Sequence, residues 1–230
     1  MNIGGIQKTS LLDYPDIISA IIWTIGCNFR CPFCYNKDIV LGNVQPINNE
    51  EVISFLKKRR GILEGLVITG GEPLMQNDIA NFCEKIKKID YLVKIDTNGM
   101  YPEKLKELID KNLIDYVAMD IKAPRIKYEK LTNVKVNIKK IEESIKILQD
   151  SKLDYEFRTT FVPELLTKND IIEIAKWLKG SKRYYLQQFK SNTPLVSAKF
   201  EDVLPYPTKE LIDILKEIKS YFDICGVRGI

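Results

Sequence analysis

The sequence predicts an α/β protein built on parallel strands, and two observations predict it. Short apolar, β-branched runs alternate with stretches of helical period along the 230 residues. Small or charged residues then fall at or just past the ends of those runs, where a parallel α/β fold gathers its active site.

The elements follow in order. Ile17 to Thr24 is a mostly apolar run and reads as a buried strand. Asn48 to Arg60 reads as a helix with Val52, Ile53 and Leu56 on one face and asparagines in front. Leu66 to Thr69 is a short strand running into Gly70-Gly71. Asp78 is placed to cap a helix whose apolar stripe is Ile79, Phe82, Cys83, Ile86 and Ile89. Tyr91 to Ile95 is a strand ending at Asp96-Thr97-Asn98-Gly99, and Pro102 opens a helix reaching Asp110. Then come a strand from Tyr116 to Ile121, a helix from Ile138 to Gln149, a strand from Tyr155 to Val162 and a helix from Asn169 to Leu178. Tyr184 to Phe189 is a strand, Thr208 to Tyr221 a helix, and a tail strand lies near Ile224. Pro194 to Pro207 is the longest irregular stretch. An open doubly wound sheet and a barrel both fit this alternation, and no linker divides residues 1–230, which read as a single domain.

Composition narrows the function. Hydrophobic residues make 45% and charged residues 29%, which excludes a disordered chain. The 35 basic and 31 acidic residues are interspersed, unlike the concentrated charge of a nucleic-acid binder. The one basic block, Lys57 to Arg60, suits a solvated helix end. No apolar run approaches the roughly 20 residues of a membrane span. The first residues lack the regions of a signal peptide, so a cytoplasmic protein is expected.

Histidine is absent, which removes Ser-His-Asp triads, Cys-His pairs and His-ligated zinc. Five cysteines argue against a disulfide framework. Cys27, Cys31 and Cys34 lie within eight residues, while Cys83 and Cys225 are isolated. A structural zinc site would need one of those two as a fourth ligand; both read more simply as small core residues. A cubane iron–sulfur cluster usually takes four cysteines. Three on one loop would hold three irons and leave the fourth open to an exogenous ligand.

The spacing Cys27-x3-Cys31-x2-Cys34, with Phe33 between the last two, resembles the signature of the radical S-adenosylmethionine (SAM) enzymes. Thr69-Gly70-Gly71-Glu72-Pro73 resembles the same family's GGEP motif. Four further stretches resemble the activating enzymes of glycyl-radical enzymes, above all the anaerobic ribonucleoside-triphosphate reductase type. They are Gly4 to Pro15, Asp96 to Gly99, Asp115 to Lys122, and Phe157 to Thr160.

The resemblance implies a partial (β/α)6 barrel of parallel strands, open on one side. It implies one 4Fe–4S cluster on Cys27, Cys31 and Cys34, with SAM chelating the open iron. Gly70 and Gly71 would let the backbone approach the methionyl end, or would simply make a tight turn. Glu72 would accept from the SAM amino group. Asp96 and Asp120, with Ile121 and Lys122 beside them, would contact its ribose or carboxylate, and Arg158 an anionic group. For the charged residues, an ion pair between strands is the competing explanation. Phe33 and Tyr35 flank Cys34 and would pack on the adenine or screen the cluster, unless they are core. No catalytic side chain is implied beyond these ligands.

The implied reaction is reductive cleavage of SAM and transfer of a hydrogen atom from a glycine of a partner enzyme to the 5′-deoxyadenosyl radical. The partners are then a glycyl-radical enzyme and a flavodoxin- or ferredoxin-like electron donor, with no nucleic acid and no membrane. A radical SAM enzyme modifying a small molecule or nucleoside stays open as the alternative. The chain also departs from its relatives. Tyr35 stands where many have histidine after the third cysteine, and Leu186 to Lys190 holds Gln188 and Lys190 where some have a SAM-contacting histidine. No second cysteine-rich insert follows the first cluster of cysteines.

Overall fold

The first strand is one that the apolar pattern misses. In a computed structural model, which describes residues 1–230, Ile3–Ser10 forms β1 and pairs antiparallel with β2 (Ser19–Thr24). Two glycines and the exposed Gln7, Lys8 and Thr9 hide β1 from a hydrophobic reading. Between the two strands Ser10 Oγ accepts from the amides of Leu12 and Asp13, at 3.2 and 3.3 Å. Leu11 and Leu12 are left exposed, while Tyr14 turns back under cover against Ile21, Val67 and Tyr116. Its ring stands 5.8 Å from that of Tyr116.

The chain divides into two units: Met1–Asn28 with Asp38–Ala118, and Phe29–Lys37 with Met119–Ile230. In the first unit β1 and β2 are followed by α1 (Lys37–Leu41), α2 (Asn49–Lys58) and β3 (Gly65–Gly70). Then come α3 (Ile79–Lys87), β4 (Leu92–Thr97), α4 (Pro102–Asp110) and the opening residues of β5 (Tyr116–Asp120). Strands β2, β3 and β4 run parallel, with Ile22 opposite Ile68 and Ile68 opposite Ile95. All three isoleucines are fully buried. Each such side chain removed from water contributes about 1.5–3 kcal/mol. Asn48 caps α2 by accepting from the Glu50 amide at 2.9 Å. Lys57 and Lys58 end that helix exposed, as the basic block suggested. Asp78 stands before α3 but makes no side-chain cap; its carboxylate pairs with the N-terminal ammonium of Met1 instead. Cys83 is fully buried on the apolar face of α3, which pushes its thiol up to about 12.

The second unit carries α5 (Tyr128–Thr132), α6 (Ile138–Asp150), β6 (Asp154–Phe161), α7 (Lys168–Trp177), β7 (Arg183–Gln188), α8 (Thr208–Ile218) and β8 (Ile224–Arg228). Strands β6, β7 and β8 are parallel, with Arg158 opposite Tyr185 and Tyr185 opposite Gly226. A reciprocal capping box opens α7: Thr167 Oγ1 and the Asp170 amide, Asp170 Oδ2 and the Thr167 amide. Residues 219–221 turn as a 3-10 helix, so the last long helix stops at Ile218, earlier than its sequence suggests. Both units are α/β with parallel strands, as the alternation predicts. No helix is long and apolar enough to cross a membrane.

Candidate active site at the strand ends

In the first unit, β2 and β3 end side by side and each leaves a glycine. The Gly71 amide donates to Thr24 O at 2.8 Å, and the Glu72 amide to Gly26 O at 2.9 Å. Gly70 has φ +114°, a backbone region open mainly to glycine, and a Cβ there would stand 2.5 Å from Thr24 N. A Cβ on Gly71 would stand 1.8 Å from Gly26 O. Both glycines therefore have a requirement inside the fold, beside any approach of a cofactor: the GGEP turn lies directly on the backbone that leads into Cys27.

Glu72 is fully buried, and its carboxylate is already well used. Oε1 accepts from the Leu74 amide at 3.0 Å and the Thr97 hydroxyl at 2.7 Å; Oε2 accepts from the Asn98 amide at 2.7 Å. This fixes the loop after β4. Asn98 then donates from Nδ2 to Asn28 Oδ1 at 2.8 Å and reaches Cys27 Sγ at 3.9 Å. Asn98 and Asn28 were not among the site residues read from the sequence; the DTNG stretch names Asn98 without showing which way it reaches. Asp96 forms an ion pair with Lys94, which is 2% exposed and two residues earlier on the same strand face.

In the second unit, Cys31 is 7% exposed, Phe33 is buried, Cys34 is half-buried and Tyr35 is exposed. Of the two aromatics, Phe33 has the burial of a packing residue and Tyr35 the accessibility of a surface one. The Cys34 amide donates to Cys31 O at 3.1 Å, closing a turn between the two cysteines. The irregular stretch after β7 holds this loop: the amides of Val196 and Ser197 donate to Cys34 O and Pro32 O, at 3.0 and 2.9 Å. Burial pushes the Cys34 thiol up, and the Lys122 ammonium counters that in part.

Asp120, at the end of β5, accepts from Arg158 Nε at 2.8 Å and from Lys122 Nζ at 3.0 Å. Burial alone would raise its pKa, but these two cations hold it well below the usual carboxylate range. Lys122 is shifted the other way: burial opposes its charge, and Asp120 with Cys31 outweighs burial. Ile121 is fully buried, with its amide on Arg158 O and its carbonyl accepting from Thr159 Oγ1. Its contribution is to the backbone bridge between β5 and β6. Gln188 donates from Nε2 to Tyr206 O at 2.7 Å, and its Oε1 is buried without a hydrogen-bond partner. Glu156 and Arg228 form a further ion pair of this unit and were missed by sequence reading. Alternation along β6 places Glu156 on the face of Arg158, but nothing local announces Arg228, which is 72 residues away from it.

No three Cys, Asp or Glu side chains gather as a cage for a single metal ion. A cubane asks for another arrangement, since each thiolate takes its own iron and the sulfurs stand apart. Within the second unit, the Cys31 and Cys34 thiols, the Lys122 ammonium coupled to both and the orphaned Gln188 oxygen suit thiolate ligation beside a polar cofactor.

Comparison with known proteins gives the same family. The model of the radical SAM superfamily matches residues 21–178. A protein of Methanocaldococcus jannaschii, provisionally named a glycyl-radical enzyme activating enzyme, is 37% identical and the match covers 99% of this chain and 96% of that one. A 7-carboxy-7-deazaguanine synthase of Thermoplasma acidophilum is 31% identical over 62% of this chain and 66% of its own. Among solved structures, Streptococcus suis SuiB bound to S-adenosylmethionine superposes with TM-score 0.68 at 16% identity, covering 92% of this chain and 51% of SuiB. The chain thus spans about half the length of SuiB. A domain of a pyruvate-formate lyase-activating enzyme from Bacteroides vulgatus matches with TM-score 0.52 at 15% identity, over 70% of this chain and 98% of that one. These likenesses show the expected radical SAM fold. The chain belongs to the radical SAM superfamily, whose cofactors are a 4Fe–4S cluster and SAM.

Proposed function

We propose that this protein is an activating enzyme that installs a glycyl radical on a partner enzyme of the anaerobic ribonucleotide reductase type, its 230 residues acting as one radical SAM core in the cytoplasm. The observation that carries this reading is the likeness, over 99% of the chain, to the M. jannaschii protein provisionally named as such an activator. When bound, the cluster supplies one electron and SAM the 5′-deoxyadenosyl group that takes a hydrogen atom from the substrate.

The chain's own residues hold and orient. Cys27, Cys31 and Cys34 take three irons. The Asn98 amide group faces Cys27 and steadies that ligand. Asp120 and Lys122, locked by Arg158, would bind the polar end of SAM, and Glu72 and Asp96 would contribute the contacts that the resemblance implies. Gln188 offers its free oxygen to a donor of the cofactor. No side chain needs to move a proton, which suits a chain without histidine.

The test is electron paramagnetic resonance on an anaerobic ribonucleotide reductase mixed with this protein, reductant and SAM. A doublet from the remaining α-hydrogen is expected, and its loss when the partner's glycine is replaced by alanine. The second reading, a radical SAM enzyme acting on a small molecule or nucleoside, draws on the likeness to the deazaguanine synthase. A modified nucleoside in place of the doublet would select it.

A further inference from the structure

By strand alternation Glu156 and Arg158 share one face of β6. Glu156 is 1% exposed, and a carboxylate so buried needs a cation. It finds one on β8. Arg228 Nη1 and Nη2 donate to Glu156 Oε1 and Oε2 at 2.6 and 2.8 Å, two parallel charge-assisted bonds. Arg158 Nη1 stands 4.0 Å from the same Oε1 while its Nε holds Asp120. The charges therefore alternate in sign from Arg228 through Glu156, Arg158 and Asp120 to Lys122.

Arg228 is fixed from its other side as well. Its guanidinium carbon lies 3.6 Å from the centre of the Tyr185 ring, within cation–π range. That ring lies against Gly226, its register partner, where a Cβ would come within 3.1 and 3.2 Å of ring carbons. Glycine at this place admits the ring, and the ring carries the guanidinium. Residue 228 is beyond residue 178, where the superfamily match ends.

We propose that Arg228 is a positioning residue for the cofactor-binding carboxylate Asp120, acting through Glu156 and Arg158. The proposal rests on the reading above that Asp120, Lys122 and Arg158 meet SAM. Arg158 lies between two carboxylates. With Arg228 in place, Glu156 takes its bidentate pair from β8 and Arg158 Nε keeps its bond to Asp120. Without Arg228, Glu156 is a buried anion with Arg158 within reach, and the guanidinium shifts toward it at the cost of the Asp120 contact.

The experiment measures SAM binding to the reconstituted, cluster-loaded protein by equilibrium dialysis, with iron content as a control. Arg228→Met should raise the Kd about tenfold, the equivalent of one charge-assisted contact, with iron unchanged. Arg228→Lys keeps the charge without the fork and should fall between that variant and the wild type. The combination of Glu156→Gln with Arg228→Met removes the competing anion and should return the Kd to within about twofold of wild type. A loss in Arg228→Met that the combination does not rescue would overturn the proposal, because Arg228 would then only be holding β8 in place. Asp120→Asn distinguishes the layers. If it weakens SAM binding while Arg228→Met does not, the positioning role fails and the reading of the site stands. If Asp120→Asn has no effect, the reading of the site itself fails.

Discussion

Glu72 Oε2 accepts a hydrogen bond from the Asn98 amide at 2.7 Å. The acidic residue of the GGEP turn thus ties the end of β3 to the loop after β4, and its other oxygen takes Leu74 and Thr97. A glutamine in its place presents an NH2 group where a carboxylate oxygen now accepts. Glu72→Gln should lower stability by about 1–3 kcal/mol in urea unfolding, the cost of leaving a buried polar group unmatched. A wild-type midpoint would mean that these three hydrogen bonds add little to stability.

Iron content separates the cysteines. Replacing Cys27, Cys31 or Cys34 by alanine should take iron after anaerobic reconstitution from about four per chain to near zero. Cys83→Ala and Cys225→Ala should keep it, the first because that thiol is buried on α3 and the second because it sits within β8. Equal dependence on Cys225 and Cys31 would restore the four-ligand reading.

Lys122→Met removes one of the two cations that hold Asp120 ionised. It should weaken SAM binding about tenfold while iron content stays intact. Loss of iron in parallel would place Lys122 with the cluster through Cys31 and Cys34 rather than with SAM.

The capping box of α7 gives a pH signature. Asp170 accepts from Thr167 and Lys127, and although burial alone would raise its pKa, these partners lower it below the ordinary carboxylate value. A depressed folded pKa stabilises the native state above the unfolded value, near 3.9. That contribution fades as the pH falls through the folded value. Wild type should therefore exceed Asp170→Asn in unfolding free energy at pH 7 by about 1 kcal/mol, and the gap should close below pH 4. A gap independent of pH would assign it to packing.

Gly71→Ala should fail to accumulate as folded protein, because its Cβ would lie 1.8 Å from Gly26 O, a backbone atom that cannot swing aside. Soluble, SAM-binding Gly71→Ala would show that the β2 and β3 ends can part.

Much of this architecture was legible because the buried strands and amphipathic helices carry their own period: Pro102 marks the start of α4, and Ile138 that of α6, to the residue. The strand-end polar groups were legible for the same reason. β1 was not, since an antiparallel strand of Gly-Gly-Ile-Gln-Lys-Thr has no apolar alternation to see. The hydrogen bonds of Glu72 were not legible either, as Thr97 and Asn98 meet it only when β3 and β4 lie side by side. Arg228 was least visible: its partner is set by the pairing of β6, β7 and β8, and by the bare backbone at Gly226.

The amides of Val196 and Ser197 have a consequence for anyone reshaping the chain. An irregular stretch after a strand looks like free ground for an affinity tag, a fluorophore or a shortening deletion. Here that ground is the clasp on the cysteine loop. A graft between Leu195 and Ala198 would be expected to spoil iron retention without touching a ligand.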